Sequence, residues 1–169
     1  MKIMNYLKEI KRELPALRSG TALVFAGAAF VFSLICIVAC GNFYVYPLLL
    51  LPRHAPPAFF FFLVFSLLCA LQGYVCGLLF CRCRTPKKYL AGVLFALFSF
   101  LFVLMWYIAF FKTFAFLFSL VLLLMALGMA LLALKESLPL AVIPSLLLIL
   151  IMGFLLFELW ITFSVILLN

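Results

Sequence analysis

The chain has 169 residues, of which 71% are hydrophobic and only 9% are charged, and its formal net charge is +8. Soluble globular domains contain roughly 45–50% apolar and about 25% charged residues, so this chain has too few polar side chains to cover a surface in water. The composition excludes a soluble domain and predicts a protein whose outer surface is covered by lipid.

The first 18 residues are predicted to form a basic amphipathic segment ahead of the membrane domain. Ile3, Leu7 and Ile10 recur at helical spacing, opposite Lys8 and Lys11. This pattern is typical of a helix that lies on an anionic membrane surface, and an unfolded basic tail is the alternative. We therefore divide the chain into this segment, residues 1–18, and a transmembrane domain, residues 19–169.

Five continuous apolar runs follow, each long enough for the roughly 20 residues that cross a bilayer core as a helix. Continuous runs favour helices over the alternating strands of a membrane barrel. The predicted spans are Thr21–Cys40, Pro57–Phe80, Tyr89–Phe111, Phe114–Leu134 and Leu138–Leu168. The sequence therefore predicts an all-α polytopic membrane protein, a bundle of five transmembrane helices.

The last predicted span is longer than a bilayer requires. Its roughly 31 residues would form about 46 Å of helix, against a hydrocarbon core of about 30 Å. Pro144 lies inside it, and a proline removes one backbone donor and crowds the preceding turn. A bend near Pro144 is therefore predicted.

The basic residues are unevenly divided between the two sides of a five-span chain. One side receives Lys2, Lys8, Lys11, Arg12, Arg18, Arg82, Arg84, Lys87, Lys88 and Lys135, and the other receives Arg53 and Lys112. Because lysine and arginine in short loops mark the cytoplasmic side, we expect a cytoplasmic N-terminus in the cell (inner) membrane. Nucleic acid is not an expected partner, since the basic residues are spread over several loops and form no continuous patch.

Two pairs of small residues are spaced four apart within predicted spans. Gly73 and Gly77 lie in the second span, and Ala126 and Ala130 lie in the fourth. Such pairs allow two helices to approach closely, either within one bundle or between two copies of the chain. The sequence thus leaves a homodimer open as the alternative to packing inside the bundle.

The residue types needed for catalysis or metal binding are scarce. The chain has four acidic residues and one histidine, and no glycine-rich phosphate loop or nucleophile with a base partner is present. Four of the six cysteines, Cys36, Cys40, Cys69 and Cys76, fall within predicted spans, where a thiol behaves as a small apolar group. We expect no enzyme activity, no metal and no cofactor.

A proline-rich segment joins the first two spans and carries a family resemblance. With Tyr46, Pro52, Pro56, Pro57 and Phe61, the stretch from Val45 to Gly73 aligns without a gap to the pattern W-Y-x-x-L-x-K-P-x-W-x-P-P-x-W-V-F and its continuation. It resembles the tryptophan-rich sensory protein and peripheral benzodiazepine receptor family, TspO/MBR. In the third span, Trp106, Phe110 and Phe111 resemble the family's W-x-x-L-F-F.

The prolines of this segment restrict the backbone whether or not the family resemblance holds. Pro52, Pro56 and Pro57 oppose helix formation, although a proline is tolerated in the first turn of the helix that follows. They predict a stiff, non-helical connector. In the family this connector is a lid over a pocket among the helices, so the resemblance implies that Arg53 and His54 belong to such a lid.

The resemblance implies a membrane receptor or carrier that binds a flat hydrophobic ligand of the porphyrin or sterol class in a pocket between helices. The ligand-binding residues that it implies are Tyr46, Pro52, His54, Pro56, Pro57, Phe61, Trp106 and Phe110. The alternative is a structural or assembly membrane subunit without a small-molecule ligand. A transporter is disfavoured because the chain lacks a pair of interrupted helices and an array of charges at the bilayer midplane.

The chain departs from the family pattern chiefly in its tryptophans. Val45, His54, Phe59, Phe65 and Leu148 stand where the pattern has tryptophan. The predicted pocket is therefore more apolar than is usual for the family. The same loss of tryptophan is the feature that favours the structural alternative.

Two ionisable residues are singled out as functional candidates. His54 is the only histidine, and on a lid it would contact an acidic group or the metal of a tetrapyrrole, or simply be solvated. Glu158 lies among apolar residues of the last span. It is either solvated near the membrane surface or buried as an intramembrane acid, in which case it needs a partner or a proton.

Overall fold

The structure is a computed structural model that describes residues 19–40, 46–53, 55–82, 88–139 and 141–169. Within these residues the chain forms five long helices and a single 3-10 turn at Tyr46–Leu48. The helices are α1, Gly20–Ala39; α2, Ala58–Arg82; α3, Lys88–Phe111; α4, Phe116–Ser137; and α5, Val142–Leu168. The all-α bundle of five helices predicted from the sequence is confirmed. The predicted amphipathic segment, residues 1–18, lies outside the described residues.

The outer faces of the helices identify the chain as an integral membrane protein. All five helices are long and apolar enough to cross a bilayer. Large apolar side chains project from them, and Phe59 and Leu117 are each 71% exposed while Val38 is 78% exposed. Contiguous exposed apolar surface on this scale is unfavourable in water, so the surrounding medium is lipid.

The helices alternate in direction, and contacts at both ends of the bundle show how they are arranged. At one end Ser19, ahead of α1, lies 3.1 Å from Cys81 near the end of α2. At the other end Asn169, after α5, is hydrogen-bonded to Leu50, which lies between α1 and α2. We refer to this second end as the connector end. Helix α1 packs mainly on α2, α3 on α4, and α5 on both α4 and α2.

The two glycines of α2 are buried against α1. A Cβ added at Gly73 would lie 2.5 Å from the backbone oxygen of Phe25 and 2.6 Å from the Cβ of Ala29. At Gly77 it would lie 2.6 Å from the Cα of Ala22. The first small-residue pair therefore serves packing inside the bundle. Ala126 and Ala130 of α4 are likewise fully buried.

The predicted bend at Pro144 is wrong, because the last helix starts later than the apolar run does. Residues 138–139 form a turn, and α5 begins only at Val142. Pro144 therefore lies in the first helical turn, where its missing N–H has no helical partner to lose. Ser145 supports this helix start, since its hydroxyl donates to the carbonyl of Ala141 at 2.7 Å and lies 3.2 Å from the hydroxyl of Ser137.

Candidate functional site

The connector between α1 and α2 is held in place by side-chain hydrogen bonds at the connector end. The hydroxyl of Tyr46 donates to the carbonyl of Pro56 at 2.7 Å. The amide of Asn169 donates to the carbonyl of Leu50 at 3.1 Å, and its oxygen accepts the Leu50 N–H at 3.2 Å. The proline-rich segment is thus fixed both to itself and to the end of α5.

Beneath Pro56, a groove of about 460 Å³ lies between α2 and α5. One wall is a single face of α2, formed by Phe60, Phe61, Val64 and Phe65. Phe61 and Phe65 are 4% and 1% exposed and form its floor, whereas Phe60 is 54% exposed at its rim. We call this space the α2/α5 groove.

The opposite wall is a single face of α5. Leu150, Gly153, Phe154, Phe157 and Glu158 follow one another at helical spacing along it. An added Cβ at Gly153 would meet no atom within 4 Å, so this glycine leaves space open. Leu150 is 50% exposed and Phe157 is 38% exposed, so the groove opens sideways towards lipid.

An aromatic cluster supports the floor of the groove. The Phe65 ring stacks on Tyr107 at a centroid distance of 4.3 Å and lies 6.1 Å from Trp106. Trp106 is fully buried, and its indole N–H donates to the hydroxyl of Thr162 at 3.1 Å. Because these rings are fixed by packing and by a buried hydrogen bond, the floor is preorganised and does not need a ligand to form it.

Glu158 is the one ionisable residue among those that line the α2/α5 groove. It is 4% exposed, and its Oε2 atom has no hydrogen-bond partner among the described residues. It precedes Leu168, the end of α5, by ten residues, which corresponds to about 15 Å of helix. The structure thus shows the Glu158 side chain buried within the bundle, and its place as an intramembrane acid stays a prediction.

A second buried polar side chain, that of Gln72, does not line the groove. Gln72 of α2 is 3% exposed, and neither its Oε1 nor its Nε2 has a partner among the described residues. The space beside it, bounded by Ser99 of α3 and Leu148 of α5, is too small for a water molecule. Gln72 therefore faces a closed interior and not a ligand-sized space.

The residues predicted to bind ligand are only partly brought together. Pro56 and Phe61 line the α2/α5 groove. Tyr46 lies directly behind them, 5.2 Å from the Phe61 ring. The others lie elsewhere: Pro52 and Pro57 in the connector, Trp106 and Phe110 in the buried aromatic cluster, and His54 outside the described residues.

Most of the α5 wall was not predicted from the sequence. Phe154 and Phe157 belong to a largely apolar helix, whose few polar residues do not mark the face that lines the groove. One signal was available, because Gly153 and Glu158 are unusual residues in an apolar helix. Their spacing of five residues sets them about 140° apart, so they mark the two edges of the groove wall and not one narrow stripe. That α5 lies beside α2 follows from tertiary packing.

Comparison of the chain with models of known protein families, with curated proteins and with solved structures finds no match. The resemblance to the TspO/MBR family accordingly stays a prediction from the sequence motifs. Within the described residues no group of three or more histidine, cysteine or acidic side chains is arranged to hold a metal ion.

Proposed function

We propose that this protein is a membrane receptor or carrier of the TspO/MBR type, which binds a flat hydrophobic molecule of the porphyrin or sterol class in the α2/α5 groove. The observation that carries the proposal is the groove itself, which lies under Pro56 of the proline-rich connector. Its volume of about 460 Å³ lies within the roughly 300–1,000 Å³ of small-molecule sites.

The chemistry of the walls supports a ligand selected mainly by shape. Apart from Glu158, the lining residues are aliphatic or aromatic, or are proline and glycine. Flat ring systems gain favourable contacts with aromatic faces, here those of Phe61 and Phe65. The sideways opening supports entry from the bilayer, where a hydrophobic ligand is concentrated.

Saturable binding of protoporphyrin IX tests this proposal. The protein is placed in phosphatidylcholine nanodiscs, and Soret absorbance is followed together with the fluorescence of a Trp160→Phe variant. In that variant Trp106, 6.1 Å from the Phe65 ring, is the only tryptophan and reports on the groove. Nanodiscs without protein measure partitioning into lipid.

We expect saturation and quenching beyond the level of the empty nanodiscs. A signal that rises linearly, as it does in empty nanodiscs, contradicts a receptor for this ligand class. That result, repeated with a fluorescent sterol, would favour the alternative of a structural or assembly subunit without a ligand.

We further propose that the N-terminus is cytoplasmic and that the protein lies in the cell (inner) membrane. The support is the distribution of lysine and arginine, ten on one side and two on the other. Among the described residues, Arg53 and Lys112 are exposed at the connector end, which would then face outward.

A homodimer is a separate proposal, and it needs a surface other than the small-residue pairs. Gly73 and Gly77 are occupied by α1, and Ala126 and Ala130 are buried in the bundle. The outer face of α1, the least buried of the five helices, offers such a surface.

A further inference from the structure

The one ionisable side chain in the wall of the α2/α5 groove has no partner of its own. Glu158 is 4% exposed, and its Oε2 is without a hydrogen bond among the described residues. The neighbouring lining residues, including Phe61, Phe65 and Phe154, have no side-chain donor to offer. The groove is therefore apolar apart from one buried carboxyl group in its wall.

The described basic side chains do not supply a counter-ion either. Arg53 lies in the connector and Lys112 follows α3, and both are exposed, while Lys135 is exposed in the last turn of α4. Glu158 lies about 15 Å from the connector end of α5. A buried carboxyl group without a donor is costly, because the bilayer provides no water to replace the missing hydrogen bond.

We propose that the α2/α5 groove selects flat apolar molecules that bear a basic nitrogen, whose N–H donates to the Glu158 carboxylate. This inference rests on the proposed function and gives its ligand a chemical class. An amine gives the Glu158 carboxyl group, which lines the groove, a charge-assisted hydrogen bond, and a neutral hydroxyl does this less well. A ligand carboxylate has no N–H to offer to Glu158, so acidic ligands such as porphyrins should bind with their acidic groups outside the groove.

The aromatic residues around Glu158 favour the same chemistry. Phe154 lies one turn before it on α5, and Phe61 and Phe65 face it from α2 across the groove. Aromatic faces attract cations through their quadrupole, and more strongly where water is excluded. Both the carboxyl group and the rings therefore favour a ligand that carries positive charge.

Three probes with one ring system and different head groups test the proposal: 1-pyrenemethylamine, 1-pyrenemethanol and 1-pyrenecarboxylic acid. Their saturable binding is followed by pyrene fluorescence in phosphatidylcholine nanodiscs, and empty nanodiscs correct for partitioning. The variants are Glu158→Gln, which keeps the shape and removes the charge, and Glu136→Gln as the matched control. Glu136 lies near the end of α4 and does not line the groove.

In the wild-type protein the amine should bind about tenfold or more tightly than the carboxylic acid, with the alcohol between them. Glu158→Gln should lower amine affinity by about tenfold, because the amide keeps the volume of the side chain but cannot form the charge-assisted hydrogen bond with the amine. The affinity of the acid should change little. Glu136→Gln should keep the wild-type order. The order of the three affinities is measured in the wild-type protein alone, so the proposal can still be tested if the Glu158→Gln variant does not fold.

Two results would overturn the inference in distinguishable ways. If all three probes saturate with similar affinity, or if Glu158→Gln leaves the order unchanged, the role of Glu158 is wrong and the binding groove stands. If no pyrene probe saturates while protoporphyrin IX does, this inference fails and the proposed function stands. If neither the pyrene probes nor protoporphyrin IX saturates, both fail.

Discussion

Tyr46 holds the connector to itself above the groove through one side-chain hydrogen bond. Its hydroxyl donates to the carbonyl of Pro56 at 2.7 Å, and its ring contacts Phe61 and Phe62 at centroid distances of 5.2 and 5.7 Å. Burial raises the pKa of the Tyr46 hydroxyl from 10 to about 12. The hydroxyl is therefore protonated, and able to donate, throughout the physiological range.

Tyr46→Phe should remove this hydrogen bond and keep the ring contacts. We expect a loss of about 1 kcal/mol of unfolding free energy at pH 8, the net contribution of a typical hydrogen bond. Because the pKa is raised on folding, the stabilisation linked to this hydroxyl is fully present below pH 10 and is lost as the pH rises towards 12. Denaturant unfolding in detergent at several pH values measures both effects, and a variant as stable as wild type at pH 8 would contradict the assignment.

At the scale of single residues, the sequence shows which side chains are unusual for their surroundings, but it does not show where those side chains lie in the bundle. Glu158 stood out as an acid in an apolar span, yet its depth depended on where α5 begins and ends. Trp106 was placed in the ligand site by resemblance, whereas the structure buries it behind Phe65. Whether a side chain lines a space or supports its wall depends on neighbours from other helices.

Among the helices, the contact between α1 and α2 depends most directly on residue size. The backbone of α1 crosses α2 where Gly73 leaves room, with the oxygen of Phe25 2.5 Å from the position of an added Cβ. Backbone atoms of a packed helix cannot move aside as a flexible side chain does. The two helices must separate if the glycine gains a methyl group.

Gly73→Ala should therefore destabilise the protein by about 1–3 kcal/mol, as overpacking does in other cores. Gly128→Ala in α4 is the matched control, since an added Cβ there meets no atom within 4 Å. Alanine is the better helix former, so this control should be neutral or stabilising by up to about 1 kcal/mol. Unfolding in mixed micelles compares the two, and equal stability of the variants would show that α1 does not approach α2 as closely as described.

The extents of the helices were largely predictable because hydrocarbon imposes a length on each span. The ends of α1 and α3 lie within one residue of the prediction. The start of α5 was misplaced by four residues, from Leu138 to Val142. Hydropathy does not reveal this turn, because the residues around it are themselves apolar and the helix start depends on hydrogen bonds of Ser145.

For the whole molecule, the alternating helices place all described loops at one of two ends. The basic residues predict that the connector end faces outward. In a variant without other cysteines, Arg53→Cys should react with a membrane-impermeant maleimide in intact cells. A variant retaining only Cys83, which lies outside the described residues, should react only after lysis. The reverse pattern of labelling would contradict the proposed orientation.

The arrangement of the bundle is the part of the site that the sequence does not determine. Uniformly apolar helices show no inward face, so their order around the bundle cannot be read from periodicity. The non-helical connector was predictable because its prolines oppose helix formation. The α2/α5 groove beneath it was not, since it depends on α5 lying beside α2 and on the open space at Gly153.

Filling the groove tests the central claim most directly. A leucine at Gly153 would extend into the open space of the α2/α5 groove, and the same change at Gly128 places the same side chain in open space on another helix. We predict that Gly153→Leu weakens saturable protoporphyrin IX binding by about tenfold or more, while Gly128→Leu leaves it unchanged. Wild-type affinity in a folded Gly153→Leu protein would contradict the claim that the ligand lies between α2 and α5.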